Sequence, residues 1–184
     1  MFLPIIETLY HGTIYQFEKV DVTKGQNNKD FGQGFYMATS KNQAIGMMHK
    51  KFREFTNRIE NKKIKKNYSE RLYEIKIDFD VASNLKIKYF EKADMEWLNF
   101  ILKCREQGGT PHDYDLVIGP TADDNTLLCL RAYWQELYGE IGSEEAKEVL
   151  LKNLEPENLG TQYFVGKQEI AERLIKSFVE IDWR

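Results

Sequence analysis

The sequence predicts an α+β fold, in a single domain that takes in all 184 residues, 1–184. Several short segments alternate apolar and polar side chains, which is typical of half-buried strands. Between those segments, apolar residues recur at helical spacing behind residues that favour helix starts. Because the elements do not repeat as regular strand–helix units, the pattern favours split or antiparallel sheets flanked by helices over a doubly wound parallel sheet.

The first 60 residues predict two strands and a helix. The first strand runs from Thr8 to His11 and enters a turn at Gly12, and the second is the glycine-opened stretch at residues 31–39. Ser40 and Gln43 form a capping-box pattern, in which each side chain can satisfy a free amide at the start of a helix. The apolar positions of that helix are Ala44, Met47, Met48, Phe52, Phe55 and Ile59.

The rest of the chain brings the prediction to six or seven strands and about five helices. Alternation predicts strands over residues 73–79, 85–89 and 178–183, and further strands are predicted over residues 116–118, as a short buried strand, and 162–165. Asp94 and Ser143 are predicted to cap two helices, and Gly108 and Gly109 to end the first of them. The other two helices are predicted over residues 127–137 and 170–175.

Composition narrows the class of protein. Apolar residues make up 42% and charged residues 30%, a balance typical of globular chains, and the net charge of −3 gives no overall basic field for nucleic acid. No apolar run could span a bilayer and the N-terminus lacks a basic region, so a cytoplasmic protein without a membrane segment is expected. Cys104 and Cys129 are expected as buried thiols. His49 and His112 lack metal-ligand spacing, and no metal is predicted.

The charge is nonetheless uneven. Residues 50–71 contain nine Lys or Arg and three Glu. This basic strip is either a solvated helix face with its loop, or a docking surface for an acidic partner or nucleic acid.

Three segments, taken in order, resemble a known superfamily. They are Leu9-Tyr10-His11-Gly12-Thr13, Asp30-Phe31-Gly32-Gln33-Gly34-Phe35-Tyr36 and Gly160-Thr161-Gln162-Tyr163-Phe164. Together they resemble the ADP-ribosyltransferases, in the clade of diphtheria toxin and the poly(ADP-ribose) polymerases. More closely, the chain resembles a bacterial domain-of-unknown-function family of that superfamily. That family carries YHG, then DFGxGFY followed by a helix with Gln-Ala, then GPxADD, which here is residues 119–124.

This resemblance implies two sheets splayed around a cleft for NAD⁺, which is the substrate, with no metal. The clade uses a His, Tyr and Glu trio, and the corresponding positions here are His11, Tyr36 and Gln162. Further NAD⁺ contacts are implied at Gly12, Thr13, Gly32, Gly34 and Phe35.

The expected chemistry breaks the bond between nicotinamide and ribose C1 through an oxocarbenium-like transition state. His11 is expected to bind a hydroxyl of the adenosine-side ribose, and the Tyr36 ring to stack on the cationic nicotinamide. Gly12 is expected to offer its backbone N–H and C=O to the nicotinamide amide, since it has no Cβ to obstruct the approach.

Glutamine in place of the clade's glutamate alters this expectation. The Gln162 amide can still bind the 2′-hydroxyl of the nicotinamide ribose, but it lacks the charge that stabilises positive character at C1. This favours single transfer over chain elongation. Asp123 and Asp124 either cap the next helix or face the cleft and supply the missing charge.

The leading hypothesis is therefore a mono-ADP-ribosyltransferase that modifies a protein or nucleic acid. The resemblance also suggests a small antitoxin as a partner. Two alternatives stay open: NAD⁺ hydrolysis with water as the acceptor, and a catalytically silent module that binds NAD⁺ or ADP-ribose.

Overall fold

The structure, a computed structural model, describes residues 6–58, 68–121, 124–154 and 160–184. Within these ranges the chain forms seven strands and six helices, which confirms the α+β class. The strands are β1 Thr8–Thr13, β2 Phe35–Ala38, β3 Arg71–Ile77, β4 Ile87–Tyr89, β5 Leu116–Pro120, β6 Thr161–Val165 and β7 Ile175–Ile181. The helices are α1 Lys41–Arg58, α2 Phe79–Ser83, α3 Met95–Gln107, α4 Asp124–Trp134, α5 Glu144–Asn153 and α6 Gln168–Leu174, with a 3-10 turn at Val22–Lys24.

All seven strands belong to one mixed sheet, in the order β4-β5-β6-β2-β1-β3-β7. The expectation of separate antiparallel sheets is corrected, because the sheet is continuous and β4 runs parallel to β5. The join between β1 and β2 is nevertheless narrow. It consists of the single pair Tyr10–Ala38, whereas β1 pairs with β3 along its whole length. The strands on either side of this join form two halves that are linked at one point.

Each face of the sheet is covered by helices. On one face, α2, α6 and the 3-10 turn pack on a cluster that includes Leu9, Phe35 and Met37. On the other face, α3, α4 and α5 cover the half that contains β5 and β6. Helix α1 covers the other half of that face through Ala44 and Met48. The narrow join between β1 and β2 therefore lies beside α1.

Local signals account for several element ends. Asp94 accepts hydrogen bonds from the amides of the first turn of α3, and Ser143 does the same at α5, as predicted. Gly108 ends α3 with a φ of 68°, a left-handed conformation that favours glycine. The Ser40 hydroxyl oxygen accepts from the backbone N–H of Gln43. The side-chain nitrogen of Gln43, however, donates to Thr121 Oγ1 at 2.6 Å, so the capping box does not close.

Several sequence predictions are wrong in detail. The helix predicted over 127–137 ends at Trp134, and Ile175 starts β7 instead of ending a helix. Gly12 continues β1 and pairs with Leu72, so it is no turn residue. The predicted strand at 31–39 begins only at Phe35. Phe79 does not end a strand: Asp78 accepts hydrogen bonds from two amides and starts α2 there.

The two thiols and the basic strip can be placed only in part. Both cysteines are free, and Cys104 is buried as predicted, whereas Cys129 is half-buried. Residues 59–67 of the basic strip lie outside the described residues.

Among the helices that the structure describes, none is both long and apolar enough to cross a membrane.

Candidate functional site

An open cleft lies where β1, β2 and β6 meet the inner face of α1. The enclosed part of the cleft is small, about 30 Å³. The residues that border it include His11 and Gly12 from β1, Tyr36 from β2, Gln162 from β6, and Gln43 and Lys51 from α1. Four residues that the sequence singles out, from three strands, thus border one cavity.

The imidazole of His11 spans the gap between β1 and β2. Its Nδ1 lies 2.7 Å from the backbone oxygen of Tyr36, and its ring stacks on Phe35 with centroids 4.6 Å apart. A carbonyl oxygen can only accept, so Nδ1 carries the hydrogen and Nε2 keeps a lone pair. His11 and Tyr36 therefore meet through the imidazole and a backbone carbonyl, not ring to ring.

His11 is held in its neutral form. Burial, together with the nearby Lys51 ammonium, lowers the pKa of His11 to about 3, against the opposing effect of its hydrogen bond to Tyr36. At neutral pH the side chain therefore offers one fixed donor to the protein and one acceptor at Nε2. An acceptor of this kind suits a ligand hydroxyl.

The phenol of Tyr36 is anchored by its own loop. Its hydroxyl donates to the Gly32 oxygen at 2.7 Å and accepts from the Phe31 amide at 3.0 Å. The ring packs at a tilt on Phe164, with centroids 4.9 Å apart. Burial and the Asp30 carboxylate raise the pKa of Tyr36 well above its ordinary value. The hydroxyl therefore stays protonated, and the half-buried ring is held rigidly at the edge of the cleft.

Gln162 connects the cleft to a buried ion pair. Its Nε2 donates to Asp30 Oδ2 at 3.0 Å and to the Pro120 oxygen at 3.4 Å. Asp30 Oδ1 accepts from Arg105 Nε at 3.0 Å and from its terminal nitrogen at 2.5 Å. Only 7% of the Asp30 side chain and 11% of the Arg105 side chain are exposed. Gln162 is thus a neutral amide whose nitrogen is committed to the protein.

Gly12 has a packing reason to be glycine. A Cβ at this position would lie 1.9 Å from the backbone oxygen of Ala44, so α1 could not approach β1 as it does. The Gly12 oxygen is already occupied, because Lys51 Nζ donates to it at 3.2 Å. The carbonyl expected to receive a ligand amide is therefore held by a lysine of the protein.

The structure does not bring the other predicted contact residues to the cleft wall. Thr13 is buried and its hydroxyl accepts from the Tyr15 amide. Gly32 and Gly34 pack closely on neighbouring backbone, and Phe35 lies beneath His11. Asp123 lies outside the described residues. Asp124 begins α4, and its side chain is not described.

Sequence reasoning did not identify three polar residues of the site as functional. Lys51 follows Ala44 and Met48 on the same face of α1, and a cation in an apolar stripe is a usable signal. Asp30 immediately precedes the glycine motif, although its partner Arg105 is 75 residues away. Gln43 Oε1 is buried, and no described residue is hydrogen-bonded to it. Only the three-dimensional structure brings these groups together.

One comparison with known proteins matches the chain. Residues 7–175 match the profile of a family described as "Protein of unknown function (DUF3990)". No curated protein and no solved structure matches. Because the matched segment takes in nearly the whole chain, including β1, β2 and β6, the chain belongs to the DUF3990 family of proteins of unknown function.

Proposed function

We propose that this protein is a mono-ADP-ribosyltransferase that binds NAD⁺ in the cleft and transfers ADP-ribose to a macromolecule. The observation that carries the proposal is the arrangement of His11, Gly12, Tyr36 and Gln162 around one cavity. These positions correspond to the ligand-binding positions of the ADP-ribosyltransferases, and membership of DUF3990 in that superfamily is part of the proposal. The enclosed cavity is about 30 Å³, room for a water-sized group, so the dinucleotide would lie along the open side of the cleft.

Each residue has a role that follows from its hydrogen bonds. His11 Nε2 accepts a hydrogen bond from a hydroxyl of the adenosine-side ribose, because Nδ1 is bound to the Tyr36 carbonyl. The anchored ring of Tyr36 offers a π-face to the cationic nicotinamide. Gln162 Oε1, on the opposite side of the amide from Asp30, accepts from the 2′-hydroxyl of the nicotinamide ribose.

The reaction needs no covalent bond to the protein. Nicotinamide leaves with the electron pair of its bond to ribose C1, and a nucleophile of the acceptor forms a new bond at C1 and gives its proton to water. The protein contributes orientation and a polar environment fixed in advance. Because Gln162 is neutral and Arg105 balances the charge of Asp30, stabilisation of positive charge at C1 is weak. This supports single transfer.

The same electrostatics favour a second candidate, a module that binds NAD⁺ or ADP-ribose without reaction. For binding alone, the neutral Gln162 amide is sufficient to hold the ribose hydroxyl, because no charge develops at C1.

The test is incubation of a cell lysate with labelled NAD⁺ and the protein, in parallel with calorimetric binding of NAD⁺. The transferase places label in a macromolecule, and His11→Ala and Tyr36→Ala abolish labelling. His49→Ala is the matched control, because His49 is an exposed histidine of α1 that does not border the cleft. It retains labelling.

Other outcomes select other activities. Binding of NAD⁺ without label or nicotinamide release indicates the silent module. Nicotinamide release without label indicates hydrolysis. Absence of NAD⁺ binding refutes the proposal.

A further inference from the structure

Lys51 is a cation inside the cleft that lacks a counter-ion in the described part of the protein. Its Nζ donates to the Gly12 oxygen, and its side chain borders the cleft beside His11. No carboxylate of a described residue forms an ion pair with it. An ammonium group has three hydrogens to donate, and a single neutral carbonyl satisfies one of them.

One cation, Lys29, and one carboxylate, Glu54, act on the charge of Lys51. Burial and the charge of Lys29 lower the pKa of Lys51 to about 8, an effect that Glu54 opposes. The carboxylate of Asp30, which is also close to Lys29, is taken by Arg105. A half-buried cation without an ion-pair partner is costly unless an anion approaches it. The cleft is therefore suited electrostatically to an anionic ligand.

We propose that Lys51 binds the diphosphate of the dinucleotide, an assignment that rests on the proposed function. The diphosphate joins the two riboses of NAD⁺, so it lies between the ribose hydroxyl at His11 and the nicotinamide at Tyr36. Lys51 borders the same cavity as His11, and its charge contributes to the low pKa of His11. From there it reaches a non-bridging phosphate oxygen by leaving the Gly12 carbonyl.

This exchange also frees a group that the ligand needs. Once Lys51 moves to the diphosphate, the Gly12 oxygen can accept from the carboxamide N–H of nicotinamide. The carbonyl is thus satisfied by Lys51 in the free protein and by the ligand in the complex. A lysine that only links α1 to β1 would stay on Gly12, and its removal would affect all ligands of the cleft alike.

The experiment compares NAD⁺ with nicotinamide riboside, which lacks the diphosphate, by calorimetric titration. Lys51→Met is expected to weaken NAD⁺ binding by about tenfold or more, the effect of a lost charge-assisted hydrogen bond. Its affinity for nicotinamide riboside should be no weaker than that of wild type, since no phosphate contact is lost and the Gly12 oxygen is free for the carboxamide. That ligand also reports that the variant is folded. Lys51→Arg should recover part of the NAD⁺ affinity.

Lys41→Met is the matched control, because it removes the same charge from the exposed start of α1. It should bind both ligands as wild type does. Equal losses for both ligands in Lys51→Met, or no loss for either, would overturn the assignment and leave the proposed function standing. A wild-type protein that binds neither ligand overturns both.

Discussion

Asp30 and Gln162 lie 132 residues apart in the chain and meet through a buried hydrogen bond of 3.0 Å. The second acceptor of the same nitrogen is the Pro120 oxygen. A carboxylate and a carbonyl can only accept, so the side chain at position 162 must donate. This orients the Gln162 amide, with its nitrogen toward Asp30 and Pro120.

Gln162→Glu is expected to destabilise the protein at neutral pH by about 2–3 kcal/mol, the value of a hydrogen bond to a charged group. The new carboxylate faces Asp30, and like charge raises its pKa above the ordinary value of about 4.3. At pH values between the pKa of glutamate in the unfolded chain and its raised pKa in the folded variant, the folded protein binds a proton that the unfolded chain does not. The stability of the variant relative to wild type therefore falls as pH rises. Urea unfolding of the variant and wild type at pH 5 and at pH 7.5 measures this change in relative stability.

The reciprocal exchange, Asp30→Asn with Gln162→Glu, is the control. It restores one donor and one carboxylate to the pair, so the double variant should be more stable than the sum of the single effects predicts. Additive effects, or a Gln162→Glu variant as stable as wild type at pH 7.5, would contradict the role given to the hydrogen bond.

The ion pair behind Gln162 leads to a second prediction. Arg105→Met leaves the buried Asp30 carboxylate without its cation, at an expected cost of about 3–5 kcal/mol. Arg71→Met removes the contacts of one guanidinium nitrogen with both carboxylate oxygens of Glu180 at the surface and should cost about 1 kcal/mol or less. Chemical denaturation of both variants compares them. Similar losses would mean that the Asp30–Arg105 pair behaves as a surface pair.

The elements that sequence predicts well are those whose cause is local. Asp94 and Ser143 cap their helices through amides two or three residues away, and such signals can be read within one turn. Gly12 shows the opposite case. Its lack of a side chain is required by Ala44 on another element, a contact that no neighbouring residue reveals, so the sequence suggested a turn where the strand continues.

The candidate site divides in the same way. Its motif residues His11, Tyr36 and Gln162 are predicted from the resemblance to a known superfamily, which groups residues that lie far apart in the chain. Arg105 and Lys51 have no motif, and they reach the site through the packing of α3 and α1. Their part in it depends on distances that sequence patterns do not encode.

Gly12→Ala tests the packing of α1 on β1. The added Cβ would lie 1.9 Å from the Ala44 oxygen, a backbone atom that cannot rotate away, so a loss of about 3 kcal/mol or more is expected. Gly46→Ala is the matched control. Gly46 lies on α1, the helix that Gly12 contacts, and a Cβ at position 46 meets nothing within 4 Å. This substitution should stabilise the protein by about 0.5–1 kcal/mol, because alanine favours helix. Thermal unfolding that ranks the two variants in the reverse order would contradict this packing.

The low pKa of His11 predicts a specific loss of stability in acid. Its pKa is about 3 in the folded protein and 6.5 for an unperturbed histidine. Between these values the unfolded chain binds a proton that the folded protein does not, so stability falls as pH drops from about 6.5 to about 3. The contribution of His11 to this slope is at most about 1.4 kcal/mol per pH unit.

His11→Asn separates this effect from general acid sensitivity. The asparagine amide can still donate to the Tyr36 carbonyl, but it does not titrate. Urea unfolding at pH 7, 6, 5 and 4 should therefore show a shallower loss of stability for the variant than for wild type. Parallel pH profiles would mean that folding does not lower the pKa of His11, so that the imidazole takes up its proton in acid in the folded protein as it does in the unfolded chain.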